Sequence, residues 1–381
     1  MHTFLKLITL AVALGALSGC EKPSPEIQIA DAEGYLQQGD PASAIIELKG
    51  ALQVSPDKAS ARRLLGEAYL LLGQAAAAQK ELEQAAALGA EPGKVQPLLA
   101  RALLLQGDYD GVHAINAFEE SLSPADSASI HASRGKAWLA LANPQAAEQE
   151  FGEGLAKDAQ SLEVLTGMAW LSAQRQQIEQ AKARLDEVFA IDPDYAEAWS
   201  LLAGIERSQG NLEAALDAYT RAINNRQDNA LDRLQRVAVN LALGNNEAAG
   251  KEISTLRKQG IGGYLLAYLQ GRLSYQEKRY GEAINSFEKA LNGNPDHALS
   301  LYYAGISALE TGQLDTAGNY LRRYKAQDPE YLPVLRTLAW IEMQSGDFVS
   351  AEELLRTVLS NAPDDALSLN LLASALAGDQ R

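Results

Sequence analysis

The stretch from Trp199 to Asp228 reads W-S-L-L-A-G-I-E-R-S-Q-G-N-L-E-A-A-L-D-A-Y-T-R-A-I-N-N-R-Q-D. Trp199, Leu202 and Ile205 fall at helical spacing on its first half, and Ala215, Leu216, Tyr219 and Ile223 do so on its second. Gly210-Asn211 stands between the halves, where a glycine ends one helix before the next begins. The spacing predicts two short amphipathic helices folded back on one another.

The pattern returns along the whole chain. Units begun at Pro25, Ala59, Gly93, Ala128, Leu162, Ala196, Ala230, Tyr264, Ala298, Leu332 and Ala366 are 34 residues apart, with a single step of 35. The eighth place is Ala or Gly in every unit except the seventh, which has Val237. The twentieth place is Ala in every complete unit except the third, which has Val112. Small residues at these places let the two helices of a unit approach closely. Pro56, Pro193, Pro295, Pro329 and Pro363 then stop the second helix, because proline cannot continue it.

These residues resemble the tetratricopeptide repeat (TPR), a helix–turn–helix unit of 34 residues with the pattern W-x₂-L-G-x₂-Y…A-x₃-F…P. Ala203 takes the small slot of the quoted unit, and Ala215, Tyr219 and Ala222 take the slots of its second helix. The resemblance implies an all-α, right-handed superhelical solenoid of ten helix-pair repeats plus one terminal helix. That helix, from Ala366 to about Leu376, reads as a cap over the last seam, although Leu367, Leu369, Leu371, Leu372 and Leu376 put apolar residues on more than one side. The resemblance also implies that the first helices line a concave wall where ligands lie, with the second, fifth, ninth and twelfth places facing it. In the N-terminal half those places hold Arg63, Lys94, Arg101 and Lys136, a basic trail. Further on they hold Tyr268, Arg272, Tyr275, Tyr302, Arg336, Trp340 and Met343. Rings beside arginines can stack on sugars or clasp an extended peptide, with guanidinium groups meeting carboxylates. The alternative for each ring is that it fills the seam between neighbouring repeats. The lysine-and-asparagine pattern of TPR cochaperones that clamp a terminal carboxylate is not present.

The N-terminus carries a separate signal. Lys6 precedes an apolar run from Leu7 to Leu17, too short to span a bilayer stably, and the run ends in Leu17-Ser18-Gly19-Cys20. This resembles the bacterial lipobox, which implies removal of residues 1–19 and lipid attachment at Cys20, the chain's one cysteine. Residues 20–24 would then form a short tether holding the first repeat near the membrane. Glu21 is not the aspartate that signals inner-membrane retention in similar lipoproteins, so the expected place is the outer membrane, facing the periplasm.

The chain of 381 residues holds 33 basic and 49 acidic residues, a net charge of −16, and losing the leader with Lys6 makes it one unit more acidic. That balance excludes a nucleic-acid backbone as partner, since such binding needs a basic face. His113, His131 and His297 remain in the processed chain, none at a metal-ligand spacing with Cys or carboxylates. No phosphate loop, nucleophile elbow or dinucleotide fingerprint occurs. Neither an enzyme nor a cofactor or metal is expected.

Two repeats break the pattern. The third has Asn116 and Glu119 where apolar or small residues belong, and the seventh has Arg233 and Arg236 at first-helix places that are usually apolar. The seventh ends in Gln259-Gly260-Ile261-Gly262-Gly263, a compliant joint. It predicts a division into residues 25–263, repeats one to seven, and 264–381, repeats eight to ten with the terminal helix.

The runs Asp31–Asp57, Leu64–Leu82 and Glu91–Asp110, together with the lipobox, resemble the N-terminal part of the TPR lipoproteins of the exosortase (PEP-CTERM) protein-sorting system. The likeness implies a part in exopolysaccharide export or exosortase-linked sorting. The expected function is a membrane-anchored periplasmic scaffold for protein–protein interactions, its partners envelope proteins or extended peptide segments. One alternative is a glycan-binding module in which Tyr302 and Trp340 stack on a polysaccharide. Another is a general scaffold of outer-membrane assembly or division.

Overall fold

The computed structural model of the chain describes residues 23–117, 121–226 and 230–379. The leader 1–19, the lipid-attachment residue Cys20 and Glu119 lie outside them. Among the described residues there are 21 α-helices and no strand. The first five repeats are α1 (Pro25–Gln37) with α2 (Pro41–Val54), α3 (Ala59–Leu71) with α4 (Ala75–Ala87), α5 (Pro92–Gln106) with α6 (Tyr109–Ala114), α7 (Pro124–Ala140) with α8 (Pro144–Lys157), and α9 (Leu162–Gln174) with α10 (Ile178–Ile191). The next five are α11 (Ala196–Ser208) and α12 (Leu212–Asn224), α13 (Ala230–Ala242) and α14 (Asn246–Lys258), α15 (Tyr264–Gln276) and α16 (Tyr280–Gly293), α17 (Ala298–Glu310) and α18 (Leu314–Gln327), and α19 (Leu332–Gln344) and α20 (Phe348–Asn361). A single helix, α21 (Ala366–Asp379), follows. These are the ten pairs and terminal helix that the repeat predicts.

Close packing inside each repeat sets the register. The twenty-fourth place holds a buried large side chain such as Leu48, Leu82, Phe151, Leu185, Ile253, Phe287, Leu321 or Leu355. This residue lies over the eighth place of its own repeat. A Cβ added to Gly135 would meet the Phe151 ring at 2.4 Å, and one added to Gly271 would meet Phe287 at 2.5 Å. Both phenylalanines therefore sit opposite glycine, whereas Leu48, Leu185 and Leu355 have Ala32, Ala169 and Ala339 at that place. The turn between the helices repeats as faithfully. Its residue is left-handed in all ten repeats: seven are glycines, and Ala142, Gln176 and Lys278 hold φ of 55°, 62° and 59°. Those three carry strain that glycine would not.

The third repeat shows what happens when the large side chain is missing. Asn116 stands at the twenty-fourth place, is exposed, and α6 has ended two residues earlier. The chain leaves extended at Ile115, and the Ser127 hydroxyl donates to the Ala117 carbonyl at 2.6 Å.

A polar clasp recurs between places four and 23. Gln28 donates to Glu47 (3.1 Å), Arg62 pairs with Glu81 (2.7 Å), His131 meets Glu150 (2.8 Å) and Arg233 pairs with Glu252 (3.1 Å). The two anomalous arginines of repeat seven are explained by the last of these. Glu252 is 8% exposed and accepts from both Arg233 and Arg236, so the cations sit at apolar-type places because one buried carboxylate needs them.

The described residues form two compact units, 23–205 with 224–226, and 206–223 with 230–379. In the first, small apolar clusters sit at successive seams, such as Leu64 and Leu65 of α3 packed with Ala32 and Leu48 of repeat one. In the second, one buried cluster runs from Leu234 to Ala304 with Ile261 packed against it. The compact units therefore do not part after Gly263, where the glycines suggested a joint. The core continues across that segment because Leu256 on one side and Leu266 and Leu269 on the other bury together with Ile261 against them. No helix among the described residues is long and apolar enough to cross a membrane.

Replacing Glu252 by Ala leaves two half-buried guanidinium groups without their counter-ion. It should destabilise the second unit by about 3 kcal/mol, and Arg233→Ala by less because Arg236 keeps its partner; urea unfolding of both variants checks this.

Candidate binding cleft

The first helices of repeats three and four carry Arg101 and Lys136 at the ninth place, one on α5 and the other on α7. Both open into a cleft of about 540 Å³ in the first unit. Its apolar lip is Leu71, Leu104 and Leu105, and Leu105 is 56% exposed. Facing them are Glu163 at the start of α9 and Glu197 in the first turn of α11. The turn Asp192-Pro193-Asp194 ends α10 and delivers Tyr195 to the same space. Asp192 holds that turn by accepting from the Asp194 amide at 2.9 Å.

Charge is arranged unequally inside the cleft. Glu197 is bound by Arg226 at 3.3 Å and by Arg101 at 3.9 Å, and the second of these pairs joins repeat three to repeat six. Lys136 makes no ion pair or hydrogen bond among the described residues. Burial pushes its ammonium below the ordinary lysine range, Arg101 pushes the same way, and Glu163 and Glu197 pull it back. The Tyr195 hydroxyl is pushed up, by burial first and then by Glu197 and Glu163. Lys136 and Arg101 together can accept a carboxylate, the leucine lip can take an apolar side chain, and Asp192, Asp194 and Glu163 can meet a cation. Such a mixed surface fits an extended peptide bearing both signs of charge better than a uniform polyanion.

The other residues expected to face inward have different surroundings. Arg63 is spent on Glu67 at 2.9 Å, and Lys94 stands in solvent 3.9 Å from Glu91. In the second unit Tyr268 does not line a surface. It is 6% exposed and belongs to the core, in contact with Phe287 and His297, because its neighbour Gly271 leaves room for rings to close over α15. Burial raises its hydroxyl pKa, and Arg272 donates to that hydroxyl at 3.0 Å. Tyr275 meets Tyr280 and Tyr303 edge-on, while Tyr302 meets Tyr303, Tyr324 and Tyr331. These rings form a ladder through repeats eight and nine. Arg336 forks onto Asp365 at 3.1 and 3.2 Å, and Asp365 in turn accepts from the Ser368 amide in the first turn of α21. That arginine fastens the terminal helix. Trp340 is the exception, 39% exposed.

Glu163, Tyr195, Glu197 and Arg226 escaped the sequence reading. Glu163 and Glu197 occupy second places, so the groove-facing rule contains them, but their pairing across repeats has no periodic signature. Histidine spacing was misleading too. The fold brings His131, Glu150 and Glu153 together, with His131 Nδ1 2.8 Å from Glu150 and 3.9 Å from Glu153. Arg134 also binds Glu150 at 2.9 Å, so the group is one more charged clasp inside a repeat.

The chain belongs to the tetratricopeptide repeat family. One tetratricopeptide-repeat family model matches residues 35–102, 139–205 and 308–375, and two others match 268–331 and 196–229. A TPR repeat-containing protein of Pseudomonas aeruginosa is 33% identical over 100 residues, 26% of this chain and 17% of that protein. Cellulose synthase 2 operon protein C of Komagataeibacter xylinus is 24% identical over 251 residues, 65% of this chain and 18% of that protein. The chain thus spans less than a fifth of the length of either relative. Among solved structures, the Cut9–Hcn1 hetero-tetramer of the APC/C superposes with a TM-score of 0.50 at 14% identity, over 91% of this chain and 95% of that one. PilW, a type IV pilus biogenesis factor, gives 0.50 at 18% identity, over 55% of this chain and 98% of its own. Identities this low establish a shared fold. The chain is an array of tetratricopeptide repeats.

Lys136 should lose its proton at lower pH than an ordinary solvated lysine. Glu163→Gln should lower the Lys136 midpoint further, because it removes a charge that holds the proton, and Arg101→Met should raise it. Amine labelling across a pH series, read residue by residue, checks all three.

Proposed function

We propose that the protein is a lipid-tethered envelope scaffold that holds an extended segment of a partner protein in the cleft of repeats two to six. The observation that carries this reading is Lys136, a desolvated cation without an ion-pair partner among the described residues, set beside Arg101 and an exposed leucine lip. No catalytic role is assigned to these residues, which bind and position. Each repeat adds a small contact area, so affinity is spread along the partner rather than concentrated in one pocket.

The envelope setting rests on sequence. The run ending in Leu17-Ser18-Gly19-Cys20 supports anchoring at Cys20, and Glu21 supports sorting to the outer membrane, facing the periplasm. Likeness to the exosortase-associated TPR lipoproteins supports a place in exopolysaccharide export or protein sorting. The match to a cellulose synthase operon protein favours the polysaccharide side of that pair. A direct glycan-binding role is the second reading, favoured by the exposed ring of Trp340. Tyr302 contributes less to it than the sequence suggests, since three neighbouring rings already occupy its edges and faces.

Cys20→Ala should move the protein from the membrane fraction to the soluble one, and retention in the membrane would remove the anchor from the proposal. A photo-crosslinking residue at Leu105, on the cleft lip, should capture subunits of the polysaccharide export machinery in living cells. The same residue at Val349, exposed but in repeat ten, should not. Capture at Leu105 should be lost with Lys136→Glu. Polysaccharide captured in place of protein, or capture insensitive to Lys136, would overturn the reading.

A further inference from the structure

His113 lies in the last turn of α6, with its imidazole stacked on the Trp138 ring of α7, centroids 4.2 Å apart and planes 28° from parallel. Nδ1 and Nε2 are both buried, and neither has a hydrogen-bond partner. The other two histidines among the described residues differ. His131 Nδ1 reaches Glu150 at 2.8 Å, and His297 Nδ1 reaches the Ser300 hydroxyl at 2.7 Å. A neutral imidazole carries one donor and one acceptor, so His113 leaves both unmet in a desolvated seam. Protonation would turn the acceptor into a second donor and add a charge there.

The surroundings offer that charge no free acid. From α7, Arg134 repels it. From α8, Glu150 attracts it, but Glu150 already binds Arg134 at 2.9 Å and His131. On α6 itself Asp110 attracts it from an exposed position. From α5 come Leu99, Leu103 and Leu104, which carry no charge. Burial, and Arg134 after it, outweigh the two acids and hold the imidazole below the ordinary histidine range. The Trp138 face offsets only part of the charge.

The helix that carries His113 is poorly able to absorb this cost. It has six residues, too few to be stable outside its packing. Val112 holds it, buried with Leu103 of α5 and Ala137 of α7, and Tyr109 and Ile115 pack against them. Leu104 packs against the same cluster and also lines the lip of the cleft.

We propose that His113 is an acid-sensitive latch, whose protonation releases α6 from α5 and α7 and loosens the leucine lip, so that a peptide bound in the cleft is let go. The last step rests on the cleft reading, whereas the release of α6 stands without it. Because burial disfavours the charged ring, released α6 takes up a proton more readily than docked α6. The latch is therefore closed above about pH 6.5, the ordinary histidine value. Below it, opening grows by up to ~10-fold per pH unit until the docked imidazole itself titrates.

Hydrogen exchange on the full chain, corrected for the intrinsic pH dependence of amide exchange, tests the latch. Between pH 7.5 and 5.5 the protection of residues 109–115 should fall ~5-fold or more, while that of α9 and α10 holds. His113→Phe keeps a ring on Trp138 and removes the titration, so its protection should not change over that range. His131→Gln should retain the wild-type response, which separates the two histidines. Tryptophan fluorescence should show a step below pH 6.5 in the wild type that His113→Phe lacks. The wild-type series decides even where a variant fails to fold. Protection of 109–115 unchanged by pH, or lost together with that of α9 and α10, would overturn the latch, as would an unchanged response in His113→Phe. Photo-capture at Leu105 should fall over the same range in the wild type and not in His113→Phe. Capture that ignores pH while α6 opens would overturn the coupling to the cleft. Absence of capture at every pH would remove the cleft reading and the last step with it, leaving the release of α6 to be judged by exchange.

Discussion

The contact on which the rest depends is the approach of a large side chain from the second helix of a repeat onto the small eighth residue of the first. Phe151 over Gly135 and Phe287 over Gly271 leave no room for a methyl group, so helix separation is fixed by atoms in contact. Once that distance is set, the left-handed turn residue and the following helix have one way to lie. Repeat three demonstrates the dependence from the other side. With Asn116 in place of the large residue, the second helix is six residues long and the chain turns extended.

Charge works around this apolar frame rather than within it. Places four and 23 meet in four repeats, each time through a hydrogen bond or ion pair. Glu252 with Arg233 and Arg236 is the most buried case. Such pairs add little net stability where they can be replaced by apolar contacts, but losing one member is severe. They therefore account for departures from the TPR pattern that otherwise look like defects. The same reasoning separates structural cations from those available to a partner. Arg63 and Arg336 have their acids and are spent, while Lys136 lacks one among the described residues.

Binding through such an array asks for little chemistry from any single residue. The cleft in the first unit offers a cation pair, an apolar lip and opposing acids, arranged by five different repeats. A rigid set of contacts of this kind lowers the ordering cost for the receptor and leaves the partner to supply an extended segment. In an acidic protein, cations without acid partners among the described residues also discriminate, since the surrounding field repels anions that cannot reach those points.

Most of the fold was legible because its determinants are periodic. A spacing of 34 with small residues at the eighth and twentieth places names the helix pair, its turn and its register, and Asn116 marked the weak helix before any coordinates. The site was legible only in part. Arg101, Lys136 and Arg272 stood out through their shared ninth place, because the direction of a side chain follows from its place in the helix. Spacing could not say that Tyr268 turns into the core, since that depends on the space beside Gly271, nor that Arg336 is held by Asp365, which lies 29 residues on. Glu197 and Arg226 entered the cleft through an ion pair spanning repeats, and Gly260 to Gly263 proved to be bridged by buried leucines. The sequence by itself determined which residues share each place of the repeat. Only the tertiary structure decided which of those are satisfied by neighbours and which are left to a partner, because that depends on distances between repeats and not on spacing within them.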